Sequence, residues 1–308
     1  MKFGIHNPSF VFSPDAHEMF EGLKGKAQWA ENNGFAWFSV MDHLIQIPWV
    51  GPSDEPFMEG WTAITALAAV TSRIRLATLV SSVAYRNPAL LAKIASNVDV
   101  ISRGRMTLGI GAGWFDTEYR QYGWEFPEKP AVRIRQMEEA VKLILAMWRE
   151  PRATFQGKYF HIEDAIMEPK PVQKPRPPIM IAGGGETMTL RVVARLGDMC
   201  NVAGSPQDVK RKFDILRGHC ETERRDYATI EKTSVTGVLL ARTDAELAAK
   251  RARLGIGDAF SGFAGTVGAA TDHIGAYRDA GVDMLITSIA KNDTETMELL
   301  ASDIMPKF

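Results

Sequence analysis

Short apolar runs alternate with stretches whose apolar positions recur every third or fourth residue, and the rhythm holds over nearly the whole chain. The runs predict strands at Phe3–His6, Trp37–Val40, Ile74–Leu79, Met106–Ile110, Ile179–Ala182, Met199–Val202, Ser234–Leu240 and Met284–Thr287. Between them the helical period predicts helices over Ala16–Asn33, Trp61–Thr71, Pro88–Ile101, Arg133–Trp148, Thr187–Leu196, Pro206–Glu223 and Thr294–Ile304. In the third of these, Leu90, Leu91, Ile94 and Val98 fall at the spacing of a buried stripe. Alternation of strand and helix implies a parallel sheet with right-handed crossovers. Eight such strands predict closure into an α/β (β/α)8 TIM barrel, with an open sheet as the alternative.

Three insertions interrupt the rhythm, near residues 45–58, 151–178 and 254–268, and none is large enough to predict a second domain beside the single barrel spanning 1–308. Ile45–Met58 carries Pro48, Pro52 and Pro56 with Trp49 and Phe57, and reads as a structured loop over the barrel mouth. Thr154–Met167 reads as a hairpin turning near Gly157-Lys158, followed by a proline-rich extended connector, Pro169–Pro178. Leu254–Gly268, rich in glycine and carrying Phe260 and Phe263, reads as either a mobile cover or a loosely packed crossover.

Composition narrows the partners. A net charge of -1 without a basic block argues against nucleic acid, and no apolar run reaches membrane-spanning length. Cys200 and Cys220 make no disulfide framework and suit a reducing cytoplasm, while six scattered histidines offer no metal-ligand spacing.

In a barrel, reactive groups gather at the carboxyl ends of the strands. The most informative such end is Gly183-Gly184-Gly185, between a short strand and a helix. Bare amides and the positive helix end make it a candidate phosphate cradle, the alternative being a tight structural turn. Asp42-His43 follows the second strand: Asp42 reads as fixing the turn, with His43 aimed into the mouth as a proton donor or acceptor, or else as a loop histidine. His6 is a weaker candidate. Gly109, Gly111 and Gly113 either admit a flat ligand, with Trp114 as a wall, or serve close strand packing. Glu118 reads as a substrate-side acid or acceptor, or as a solvated first-turn residue. Arg86-Asn87-Pro88 looks structural, with Asn87 capping the helix that Pro88 begins. Ser102–Arg105 reads as a tight turn on the opposite face.

Ordered segments along the first two thirds carry a resemblance: Met41-Asp-His43, Tyr85–Lys93, Asp99–Arg105, Leu108–Trp114 with Glu118 and Gly123, Pro169–Pro175, Pro177–Gly185 and Asp198–Asn201. The chain resembles the luciferase-like superfamily of flavin- and deazaflavin-dependent oxidoreductases, especially its coenzyme F420 branch. The resemblance implies a dimer with the cofactor ring in the barrel mouth. A non-proline cis peptide behind the ring would map to Thr78-Leu79, followed by Val80 and Ser81. Ala112, Gly113 and Trp114 would border the ring, and Gly183, Gly184 and Gly185 would hold the phosphate. Two positions depart from the sugar-phosphate-oxidising members: Trp114 replaces a glutamate and Ile47 a tryptophan, which disfavours a sugar phosphate and favours a less polar organic substrate. The leading expectation is hydride transfer between F420 and a small organic molecule, with His43 moving the accompanying proton and Glu118 second to it. Its rivals are a reduced-FMN monooxygenase, a redox-free lyase or isomerase, and a non-catalytic flavin-binding barrel.

Overall fold

A computed structural model of the protein describes residues 1–257 and 260–308. Eight parallel strands form the barrel: β1 (Lys2–Asn7), β2 (Trp37–Val40), β3 (Arg75–Thr78), β4 (Met106–Gly111), β5 (Ile179–Ala182), β6 (Met199–Val202), β7 (Glu231–Ala241) and β8 (Met284–Ile289). Closure is visible in the register: Met284 of β8 stands opposite both Lys2 of β1 and Thr233 of β7. Glu231 of β7 stands opposite Met199 of β6.

Side chains alternate across each strand, so one set fills the barrel and the other faces the helices. Trp37, Ala77, Met180, Met199, Met284 and Ile286 fill the interior. Phe3, Ile5, Phe38, Leu76, Leu108 and Ile181 face outward into the larger core. The outer layer comprises α1 (Met19–Asn32), α2 (Gly60–Val70), α3 (Pro88–Ile101), α4 (Pro130–Arg149), α5 (Thr189–Leu196), α6 (Pro206–Thr222), α7 (Val267–Asp279) and α8 (Thr294–Leu299).

The stripe expected on α3 is shifted. Leu90 is 55% exposed, and the buried face is Leu91, Ala92, Ala95 and Val98. The alanines allow α4 to approach closely enough for Trp148 Nε1 to donate to Ala92 O at 3.1 Å. As expected, Asn87 caps α3 by accepting from Ala89 N. Arg105, in the turn before β4, donates to the carbonyls of Ala68, Thr71 and Ile74, so that end of the barrel is tied shut by backbone acceptors.

Strands Arg152–Gln156 and His161–Ile166 form the expected antiparallel hairpin. Helix Asp244–Leu254 was hidden by its charged composition; a reciprocal capping box between Thr243 and Glu246 holds its start. In the stretch read as irregular, Phe263–Thr266 is a further strand paired with β7, and α7 follows it. Positions 258 and 259 of that stretch lie outside the described residues. No helix is long and apolar enough to cross a membrane, and no metal-binding group of His, Cys, Asp or Glu occurs, among the described residues.

Candidate active site

The carboxyl ends of β1 to β6, with Val235 of β7, surround a cavity of about 390 Å³. Of the expected site, Asp42, His43, Leu79, Val80, Ser81, Ala112, Gly113, Trp114 and Gly183 line it, while Gly184 and Gly185 stand beyond the lining. The non-proline cis peptide is present at Leu79–Val80, one bond later than the sequence placed it. Thr78 does not line the cavity; fully buried, it bonds Ser81 Oγ at 3.0 Å and props the bulge from behind.

The glycines in β4 and just after it permit close packing, and Gly111 and Gly113 also line the cavity. A Cβ on Gly109 would lie 2.2 Å from Thr78 O, one on Gly111 2.9 Å from Val80 Cγ2, and one on Gly113 2.2 Å from Tyr119 Oη. Their absent side chains let the β3 bulge and the short helix Asp116–Gln121 close against β4. The triplet after β5 is different. The Gly183 amide is consumed by Asn201 O at 3.1 Å, whereas the Gly184 and Gly185 amides meet no protein acceptor among the described residues. Met188, at the N-cap of α5, makes no side-chain cap bond, although the Leu190 amide of the first turn is taken by Gly185 O at 3.0 Å, so the positive end of that helix is partly open. The position a Gly184 Cβ would take is 2.7 Å from Lys212 Nζ. Two free amides, an uncapped helix end and an adjacent ammonium suit a phosphate.

His43 is held by a buried network. Its Nδ1 lies 2.8 Å from Glu118 Oε2, and the same carboxylate accepts from Tyr85 Oη, from the Leu44 amide and, at 3.2 Å, from the Ile45 amide. Burial alone would raise the Glu118 carboxyl, but the bonds from His43, Tyr85 and Leu44 outweigh it and hold the group below the usual carboxylate range. The Tyr85 hydroxyl is pushed far up, first by burial and then by that carboxylate. A carboxylate on Nδ1 places the proton there and leaves Nε2 as the exchanging nitrogen. Glu118 is fully buried and outside the cavity lining, so it meets the histidine rather than a substrate. The solvated first-turn alternative fails for the same reason.

Asp42 takes a different partner from the local backbone expected for it. Both its oxygens bond Arg86, at 2.7 and 2.8 Å, and Arg86 also bonds Glu59. Arg86 thus ties the β2 end to the start of α2, a contact its neighbours in sequence do not suggest. His6, also in the lining, bonds Ser39 Oγ at 3.0 Å; burial, Lys26 and His43 together lower its pKa to about 3, so it is neutral. Arg133, from the first turn of α4, reaches the lining and donates to Gly113 O at 3.2 Å. Tyr85, Arg133 and Lys212 were missed as site residues because each lies on an element whose local pattern shows only helix or loop.

Residues 1–286 match the luciferase-like monooxygenase family. The chain belongs to the luciferase-like superfamily of flavin and deazaflavin oxidoreductases, and it is an enzyme of that kind. It is 30% identical over 265 residues to a pyrimidine monooxygenase of Acinetobacter baylyi, covering 81% of this chain and 69% of that one. It is 32% identical over 214 residues to an F420-dependent glucose-6-phosphate dehydrogenase of Kineococcus radiotolerans, covering 67% and 57%. An F420-dependent secondary alcohol dehydrogenase with an F420-acetone adduct superposes with a TM-score of 0.82 at 18% identity, covering 99% and 98% of the chains.

Proposed function

We propose that the protein is a reduced-FMN-dependent monooxygenase acting on a small organic substrate, the rival of the F420 reading expected first. The observation that carries this is the charge around the glycine triplet. Lys212 stands at Gly184, with its ammonium bonded to Ala203 O at 2.8 Å and to no carboxylate among the described residues, though Asp208 lies within its field. Arg211, the next cation, is neutralised by Glu186 and by Asp208. One terminal phosphate matches one ammonium and two amides. The acidic lactyl-glutamate tail of F420 needs several cations beyond the phosphate, whereas here two carboxylates flank the turn, and Arg133 in the cavity lining is engaged by the carbonyls of Gly113, Pro127 and Glu128. The match to the pyrimidine monooxygenase supports the same reading, while Trp114 and Ile47, which depart from the sugar-phosphate-oxidising pattern, bear on the substrate and favour a less polar one.

Gly184, Gly185 and Lys212 would hold the phosphate, while Leu79–Val80, Ala112 and Trp114 would border the ring. Reduced FMN bound there supplies two electrons for dioxygen, one oxygen atom entering the substrate and the other leaving as water. Glu118 and Tyr85 orient His43, whose Nε2 holds or gives up the proton that accompanies oxygen transfer. Trp49 and Trp114 stack with centroids 4.7 Å apart at the rim and keep bulk water off the histidine.

F420-dependent hydride transfer is the second reading, favoured by the His43–Glu118 pair, which equally suits delivering one proton beside a hydride. Titration of the purified protein with FMN, anaerobic FMNH2 and F420H2 decides between them. Tighter binding of FMNH2, and oxygenated product in air, are expected; F420H2 binding without FMN or FMNH2 affinity would overturn the proposal. Drawing on the family resemblance for the assembly and on the free Cys200 and Cys220 for the compartment, we also take the working form to be a cytoplasmic homodimer.

A further inference from the structure

His6, near the end of β1, stands where two cavities meet. A second cavity, walled by Ile47, Trp49 and Phe260 among others, adjoins the first, and among the described residues His6 and Val235 line both. Val235 is apolar, so His6 is the polar group at that junction. It also lies across the mouth from the residues that would border the flavin ring and hold its phosphate. Those follow β3, β4 and β5, whereas β1 pairs with β2 and β8.

The tautomer of His6 follows from its neighbour. Ser39 is fully buried, and its hydroxyl has one bonding partner among the described residues, His6 Nδ1 at 3.0 Å. A buried hydroxyl gives its hydrogen to an acceptor in reach, because otherwise it forfeits hydration with nothing in return. Nδ1 therefore accepts that bond and carries no hydrogen. The ring is neutral, first through burial and then through the charges of Lys26 and His43, so its one hydrogen is on Nε2. Nε2 bonds no described residue and is not sealed from solvent, so this N–H opens into the shared space.

His43 is the opposite case. Glu118 holds a hydrogen on Nδ1, and Nε2 gains or loses the mobile one. Both rings line the first cavity, and the charge of His43 is felt at His6. One imidazole is a fixed donor and the other a proton exchanger. When His43 is charged, both Nε2 atoms donate. A carbonyl oxygen, with two lone pairs and no hydrogen, accepts from both, whereas a hydroxyl keeps a hydrogen that neither ring could take. We propose that His6 is a substrate-binding residue and that the substrate is a carbonyl compound whose oxygen accepts from His6 Nε2. Ser39 is a positioning residue that keeps the ring in its donor tautomer. A fixed donor at that oxygen draws electron density from the carbonyl carbon and places the reacting carbon at the junction of the two lobes. This rests on reading the first lobe as the flavin site.

Nitrogen NMR of the unliganded protein, with His6 assigned through His6→Phe, tests the tautomer: a protonated Nε2 and a bare Nδ1 are expected, and the reverse overturns the proposal. Ser39→Ala should turn that single tautomer into a mixture. Calorimetric titration, on the protein alone and saturated with FMN, compares cyclohexanone and acetophenone with the hydrocarbons in which a methylene group replaces the oxygen. At least one ketone is expected to bind about fivefold more tightly than its hydrocarbon. His6→Phe should abolish that preference and leave the hydrocarbon's affinity as it was. No preference for either ketone, a preference that survives His6→Phe, or cyclohexanol binding as tightly as cyclohexanone overturns the proposal. So does loss of FMN affinity in His6→Phe with the ketone preference intact, since the donor would then serve the ring. A preference that depends on His6 in a protein that binds no FMN supports the donor and sinks the flavin reading alone; FMN binding without the preference sinks the donor alone.

Discussion

Glu118→Gln is the sharpest probe of the His43 network, because it keeps the shape and inverts one acceptor. The carboxylate accepts from His43 Nδ1 at 2.8 Å, from Tyr85 Oη and from the Leu44 and Ile45 amides. A glutamine carbonyl can still serve the two backbone amides, but its NH2 then faces the histidine and the tyrosine. Bonds to a charged partner contribute about 1.5–3 kcal/mol each, and the two affected groups can partly recover by rotating a hydroxyl or shifting a proton. A net loss of about 2–4 kcal/mol at neutral pH follows. The histidine recovers by moving its proton from Nδ1 to Nε2, which leaves the exchanging nitrogen unable to accept one. Urea unfolding measures the first effect, and imidazole nitrogen shifts in an NMR spectrum of the unliganded protein measure the second. Glu118 is held below its ordinary value, so its contribution is present above the unfolded carboxyl pKa and is lost as pH falls through the lower folded one. The stabilities of wild type and variant should therefore converge in acid. A loss below about 0.5 kcal/mol with the proton still on Nδ1 would refute the account of this network.

Asp42→Asn strands a nearly buried Arg86 with only Glu59 for charge, and a loss of about 3 kcal/mol in urea is expected; under about 1 kcal/mol would show that Asp42 does not anchor the turn. Lys212→Met should weaken FMN about tenfold by fluorescence titration and leave riboflavin untouched, whereas an equal effect on both would place the phosphate elsewhere. His6, lowered from 6.5 to about 3, stays neutral in the fold while the unfolded chain gains a proton, so stability is full above 6.5 and declines as pH falls toward 3. At pH 5 that cost is about 2 kcal/mol, and His6→Gln should remove it from the difference between melts at pH 7 and pH 5. An unchanged difference would mean that His6 is charged or solvated in the folded protein.

The barrel was legible from periodicity because a strand buried on both faces, or a helix buried on one, writes its environment into consecutive residues. All eight strands appear where short apolar runs place them, and the turn proposed as a phosphate cradle was visible because three glycines between a strand and a helix constrain the backbone directly. Helix Asp244–Leu254 and strand Phe263–Thr266 were not, since one intersperses charges with alanines and the other is short and rich in small residues. The shifted face of α3 shows the same limit: alanines carry little hydrophobic weight in a pattern, yet close packing selects them.

The chemistry divides along a different line. His43 and the Gly183–Gly185 turn are read from local sequence because each lies at the end of its own strand. That Glu118 faces the histidine rather than a substrate, and that Asp42 pairs with Arg86, follow only from how separate crossovers fold back over the mouth. A residue sequence records which groups are present and how each strand ends, while the distances that set proton positions and charge pairing arise between elements far apart in the chain, once the barrel has closed.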